Sequence, residues 1–228
     1  MGLTIHYELQ LADAHAGVDD LQARWAAEAL RKLALACKRK GRFDAVGRLG
    51  FERAERRHAV EWRTRRVPDQ PHTFTGIEIW PLAGHLFRVG VGRDCESLVL
   101  GLCRYERGGW RLKSFCKTQY AGLHGWEYFR RCHTAVIDLL AAAPAAGLKV
   151  KIQDEGEYWP RSNLAALHRN IEQMNSAVAA IAGVLKDGDE AGDGARVQSP
   201  ILAHPGFEQL EAEGAARGYA SRFRKLLC

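Results

Sequence analysis

Residues 110–154 read WRLKSFCKTQYAGLHGWEYFRRCHTAVIDLLAAAPAAGLKVKIQD, and this stretch decides the fold. Residues 110–120 read as a strand, opened by the turn Arg107-Gly108-Gly109. Residues 124–143 set Trp126, Phe129, Val136, Leu140 and Ala143 along one helical stripe, which Pro144 and Gly147 end. Residues 148–154 alternate apolar Leu148, Val150 and Ile152 with polar neighbours, the period of a half-buried strand, and Gly156 marks the turn after them. Two strands joined by one helix in the same sheet run parallel with a right-handed crossover in almost every protein. The C-terminal ends of 110–120 and 148–154 are therefore expected at one edge of the sheet.

Upstream, residues 75–80, 86–91 and 98–105 read as strands that join 110–120 in an antiparallel meander. The opening strand, 3–10, puts Leu3, Ile5, Tyr7 and Leu9 on one face and Thr4, His6, Glu8 and Gln10 on the other. A helix at 18–40 carries Val18, Leu21, Trp25, Ala29 and Leu33 at helical spacing, acids Asp19 and Asp20 in its first turn and Gly41 after its end. Residues 42–72 contain only a short strand near Val60 and Trp62. Downstream, Leu164, Leu167, Ile171, Met174, Val178, Ile181 and Leu185 mark a helix at 164–185 with Ser162 as its cap. A flexible acidic loop at 187–199, a short helix at 207–213 and a basic tail, Arg222-Phe223-Arg224-Lys225, complete the chain. The fold class that results is α+β, a single domain over 1–228 with a mixed, mainly antiparallel sheet and three main helices packed on it.

With 228 residues, 46% of them hydrophobic and 26% charged, the chain can bury a large core and is neither disordered nor fibrous. No stretch approaches the ~18 uninterrupted apolar residues of a membrane span, and the alternating opening lacks the pattern of a secretory signal. A cytoplasmic protein with its six cysteines as free thiols is expected. The acidic loop fails as a calcium site, because the fifth position from Asp187 is Ala191 and the twelfth is Gln198. No GxGxxG, Walker lysine loop or GxSxG is present, and no cofactor or metal is implied.

The shared strand edge is where chemistry is expected, since ligands settle at carboxyl ends of parallel strands beside a helix N-terminus. It collects Lys117 and Tyr120 from one strand, Asp154, Glu155, Tyr158 and Trp159 from the other, and His124 from the helix start. Lys117, Asp154 and Glu155 are the catalytic candidates, a lysine and carboxylates that shift one another's pKa. Tyr120, His124, Tyr158 and Trp159 would bind a small molecule with flat walls and polar handles. The competing reading makes Asp154-Glu155-Gly156 a plain strand-end turn, with Lys117 pairing on the surface. Cys132-His133 lies about 13 Å along the helix from His124, at 1.5 Å per residue, and reads as a packed core histidine beside a thiol.

A second functional class competes with a small-molecule or catalytic site. Residues 21–70 hold fourteen Lys or Arg against six Asp or Glu, a surplus of eight, so the remainder is net −2 within the total of +6. Lys38, Arg39, Lys40, Arg56, Arg57, Arg63 and Arg65 could meet nucleic-acid phosphates beside Trp25 and Trp62. The helix at 164–185 could instead receive a protein partner. Whether the chain is an enzyme stays open at this level.

The runs Ser114-Phe115-Cys116-Lys117-Thr118-Gln119-Tyr120, Arg131-Cys132-His133 and Asp154-Glu155-Gly156-Glu157-Tyr158-Trp159, with Gly101 to Tyr105, resemble a family of uncharacterised bacterial proteins. The resemblance covers residues 75–215 and the opening strand, and it implies a bacterial protein without implying an activity.

Overall fold

The computed structural model describes residues 3–11, 20–66, 74–189 and 199–227, with the side chains of 54, 65, 66, 74, 75, 187–189, 224, 226 and 227 excepted. The chain forms two compact units: Met1–Thr4, Lys117–Arg130 and Asp154–Cys228 make one, and Ile5–Cys116 with Arg131–Gln153 make the other. The fold class is α+β.

The larger unit is built on a six-stranded sheet of order β2-β5-β6-β7-β1-β8. Its strands are β1 (Thr4–Leu11), β2 (Ala45–Val46), β5 (Ala83–Gly90), β6 (Leu98–Arg104), β7 (Trp110–Lys117) and β8 (Leu148–Asp154). Strand β1 enters between the two strands of the 110–154 stretch. Thr118 donates its N–H to the Leu3 carbonyl and Glu155 to that of Thr4, while Lys113 and Lys151 both face Glu8. These contacts make β1 antiparallel to β7 and to β8. The outer two therefore run parallel to each other without being neighbours, and every neighbouring pair in the sheet is antiparallel. The reason is hydrophobic: Leu3, Ile5, Tyr7 and Leu9 are all buried and satisfy a central strand better than an edge.

Two helices cover this sheet, α1 (Asp20–Arg39) and the later turns of α3 (Trp126–Ala141). The buried face of α1 is Ala23, Ala26, Ala27, Leu30 and Ala34, not the stripe through Leu21, Trp25, Ala29 and Leu33; Leu21 and Trp25 are exposed. Alanine lets the helix axis approach the sheet closely, so small size outweighs hydrophobicity in choosing the face. Gly41 ends α1 in the left-handed region (φ 71°), and the Gly41 and Arg42 N–H groups close on the Lys38 and Cys37 carbonyls. At Gly101 (φ 123°) a Cβ would stand 1.9 Å from the His85 carbonyl oxygen, so only glycine lets β6 lie this close to β5.

The basic 42–72 segment, sparse in the sequence reading, forms β2, a short helix α2 (Arg53–Arg57) and strand β3 (Glu61–Arg66), which pairs with β4 (Phe74–Ile79) as a separate two-stranded ribbon. In the smaller unit α4 (Leu164–Asp189) packs against α5 (Phe207–Ala216), with α6 (Tyr219–Leu227) after it. Their approach is close: a Cβ on Gly214 would lie 2.0 Å from the Ser176 carbonyl oxygen. Leu167 and Ile171 of the α4 stripe are buried, while Leu164 and Leu185 at its two ends are exposed. Asn163, not Ser162, caps α4, its Oδ1 accepting the Ala166 N–H at 3.0 Å; Ser162 sits at φ 52°, a backbone from which it cannot cap. The residues expected as a basic tail are helical in α6, and the acidic loop expected at 187–199 lies mostly outside the described residues. Among the described residues no helix is long and apolar enough to cross a membrane.

Candidate functional site

The seven strand-end candidates all fall in the smaller unit. Asp154 closes β8 and its carboxylate gathers the turn that follows: Oδ1 accepts the Gly156 N–H at 2.8 Å, and Oδ2 accepts those of Tyr158 at 2.8 Å and Trp159 at 3.0 Å. Glu157 takes a left-handed backbone (φ 58°) so that the chain can wrap around this carboxylate. Asn170 of α4 holds the same turn from outside by donating to the Gly156 carbonyl at 3.1 Å. Glu155 ties β8 to the start of β1, its Oε2 accepting the Thr4 N–H at 2.9 Å while its own N–H bonds the Thr4 carbonyl at 3.2 Å. Both carboxylates thus hold main-chain N–H groups, work that belongs to turn and edge formation.

Lys117 is half-buried at the end of β7, on the other side of β1 from Glu155. With strands about 4.8 Å apart, the backbones of Lys117 and Glu155 are separated by roughly 10 Å. Tyr120 is half-buried in the short 3-10 helix Gln119–His124, whose first residue, Gln119, and preceding Thr118 are buried. His124 is exposed and meets the Tyr128 ring edge-on at 5.2 Å. Tyr158 is half-buried, and Trp159 is 36% exposed. The structure accordingly brings Asp154, Glu155, Tyr158 and Trp159 into one turn and sets Lys117, Tyr120 and His124 on the segment after β7. Cys132 and His133, both fully buried, sit in the larger unit.

The basic candidates divide. Asp20, the first residue of α1, bonds His85 at 3.0 Å, and that ring stacks on Trp110 at 5.5 Å, next to Arg111. Lys38, Arg39 and Lys40 are exposed at the far end of the same helix, about 28 Å away at 1.5 Å per residue. The patch read over 38–66 is therefore two surfaces, because a rigid helix holds its halves apart. Arg56 packs over Phe51 (5.2 Å) and Trp80 (5.9 Å) and donates to the Pro81 carbonyl, which makes it a clamp at the foot of the ribbon. Arg57 is exposed, Arg63 is exposed on β3, and Arg65 pairs through its backbone with Thr75 while its side chain lies outside the described ones.

The foot of the ribbon carries a connected polar network that the sequence reading missed. Arg111 of β7 donates from Nε and Nη2 to the two carboxylate oxygens of Glu61 at 2.6 and 2.9 Å, and from Nη1 to the Arg107 and Gly108 carbonyls at 2.7 and 2.9 Å. Its guanidinium lies over the Tyr105 ring at 4.4 Å, and the Tyr105 hydroxyl donates to the Ala59 carbonyl at 2.5 Å. The Arg111 hydrogen bonds hold the Glu61 carboxyl below its ordinary range, and burial pushes the Tyr105 phenol up. No spacing could have signalled a pair fifty residues apart; an arginine just after a Gly-Gly turn was the only hint. Above this foot, Trp62 is 69% exposed and lies across Gly76 of β4, while Arg63, on the other face of the strand, reaches back to Glu61 at 3.8 Å.

Comparison with family models, curated proteins and solved structures finds no match. What the surface can do thus rests on its side chains. Among the described residues no group of three or more His, Cys, Asp or Glu is placed to hold a metal ion.

Proposed function

We propose that the protein is a non-enzymatic binding module that engages single-stranded nucleic acid through the β3–β4 ribbon. The observation that carries this is the exposed Trp62 on a ribbon clamped at its foot by the Arg111–Glu61 pair and by Arg56. A large aromatic ring left in water on a rigid support is a stacking platform for a base, and the exposed Arg57 and Arg63 supply phosphate contacts. Arg57 and Arg63 serve the strand directly, whereas Lys38, Arg39 and Lys40 add only long-range attraction. The test is fluorescence anisotropy of a labelled oligonucleotide at low and rising salt. Stacking is worth about 1–3 kcal/mol per base, so Trp62→Ala is expected to weaken binding about tenfold to a hundredfold. Neutralising Arg57 and Arg63 should flatten the salt dependence. Absence of binding at low salt, or an unchanged Trp62→Ala affinity, sinks the reading.

A second reading, a small-molecule site with Tyr120, His124, Tyr158 and Trp159 as its binding groups and Lys117, Asp154 and Glu155 as its polar ones, is favoured by one observation. These residues follow the ends of the two strands that flank β1, within one compact unit. The engagement of both carboxylates by main-chain N–H groups puts it second. A cytoplasmic, reducing setting and membership of the bacterial family that the sequence resembles belong to the same proposal, supported by five free cysteines among the described residues.

A further inference from the structure

Opposite its buried Leu3, Ile5, Tyr7 and Leu9, strand β1 turns a polar face outward. There the exposed His6 ring lies 6.1 Å from that of Phe115 on β7. One step of two residues along β1, about 7 Å, the Glu8 carboxylate faces Lys113 of β7 at 3.7 Å and Lys151 of β8 at 3.9 Å. Strand alternation sets Lys149 and Gln153 on the same side of β8 as Lys151, and both are exposed. The face is thus ruled into an aromatic row, His6 and Phe115, and a basic row, Lys113 and Lys151 on either side of Glu8. An open groove of about 320 Å³ lies over these rows, bordered by His6, Glu8, Lys113, Lys151 and Gln153.

Phe115 is 47% exposed, and an outward aromatic ring on a sheet is a flat surface on which a base stacks. Glu8 sits low in the basic row, its side chain 17% exposed and its Oε1 accepting from Gln10 Nε2 at 2.5 Å. The lysine heads stand further out. Their separations from Glu8 are those of an ion pair and longer than a hydrogen bond, so each ammonium keeps donors for an oxyanion above it. Lys113, Lys149 and Lys151 against Glu8 give the face a surplus of two positive charges. The complement of an aromatic row beside a basic row is a base beside its phosphate. An open face buries too little of a free nucleotide, whereas a polymer adds contacts along its length. Arg111, whose bond to Glu61 anchors the foot of the ribbon, lies two residues before Lys113 and four before Phe115 on β7, about 14 Å at most, within one unit.

We propose that the outward face of β7, β1 and β8 is a second contact surface for the single strand held at the ribbon, with a base stacked on Phe115 beside His6 and its phosphate on Lys113 and Lys151. The class of ligand rests on the ribbon reading; the site itself uses no residue of β3 or β4. Once a strand spans both surfaces, its second contact forms at high effective concentration, so length counts.

Fluorescence anisotropy of the full chain with fluorescein-labelled oligothymidylates of about 4 and about 12 nucleotides, over a range of salt, is the test. Phe115→Ala should weaken binding of the longer strand about fivefold or more and narrow the gap between the two lengths, and Phe115→Trp should retain wild-type affinity. Lys113→Gln with Lys151→Gln should lower the slope of log K against log salt by about 1.4, two phosphate contacts at about 0.7 each. Glu8→Gln should tighten binding about twofold at low salt, a gain that damage to the fold would not produce. Unchanged affinity in Phe115→Ala, an unchanged salt slope in the lysine pair, or no gain in Glu8→Gln overturns the proposal. If Trp62→Ala weakens binding and Phe115→Ala does not, the ribbon stands and the sheet face falls; if only Phe115→Ala weakens it, the sheet face stands and the ribbon falls.

Discussion

Replacing Glu61 by glutamine keeps the volume at the foot of the ribbon and removes one charge. Glu61 and Arg111 are each only 9% exposed at the side chain. The Arg111 guanidinium would keep two backbone carbonyls, the Tyr105 face and one bond to the amide oxygen, but lose the second carboxylate bond and the charge that pairs it. Removing one partner of a buried pair costs about 3–5 kcal/mol, because the other charge stays buried without compensation. The cation–π contact, worth about 0.5–2 kcal/mol, survives, so the lower end of that range, about 3 kcal/mol, is expected. At about 2–4 °C per kcal/mol for a chain of this size, the melting temperature should fall by roughly 6–12 °C. Urea denaturation followed by far-ultraviolet circular dichroism measures the loss at constant m-value. Arg111→Met should cost about as much, and the double variant should be less destabilised than the sum of the singles by at least about 1.5 kcal/mol, since it leaves no orphaned charge. A Glu61→Gln loss within about 0.5 kcal/mol, or strict additivity in the cycle, would refute this account of the clamp.

Two further outcomes concern charge. Glu61 titrates below the ordinary glutamate value of about 4.3, so its contribution is complete above that pH and disappears as pH falls through its folded value. Wild type and Glu61→Gln should therefore converge in stability on acidification from pH 7 toward pH 3, and a constant gap would contradict the pairing. Asp154→Asn leaves one acceptor oxygen for three N–H donors and should cost about 1–3 kcal/mol, seen in the same denaturation assay; an unchanged stability would return Asp154 to the small-molecule reading.

Local pattern carried far in this chain. The alternation in residues 148–154 and the stripe through Phe129, Val136 and Leu140 are properties of neighbouring residues, and both elements stand where the pattern put them. The common edge reached by β7 and β8 also followed from handedness and helix length alone. Elements without a local signature were invisible: α2, α6 and the pairing of β3 with β4 have neither a long apolar stripe nor clean alternation.

Only the tertiary structure decided what lies beside what. The opening strand could have paired at any edge, and its insertion between β7 and β8 buries its apolar face, Leu3, Ile5, Tyr7 and Leu9, while His6 on the other face stays exposed. Helix α1 turns its alanines inward because contact distance, a property of two surfaces, outranks the hydrophobicity of one. Asp154 and Glu155 were legible as polar residues at a strand end, yet only the positions of the Gly156, Tyr158, Trp159 and Thr4 N–H groups made them turn and edge anchors. The Glu61–Arg111 contact joins residues fifty positions apart, and such a meeting depends on the path of the whole chain, which no local periodicity records.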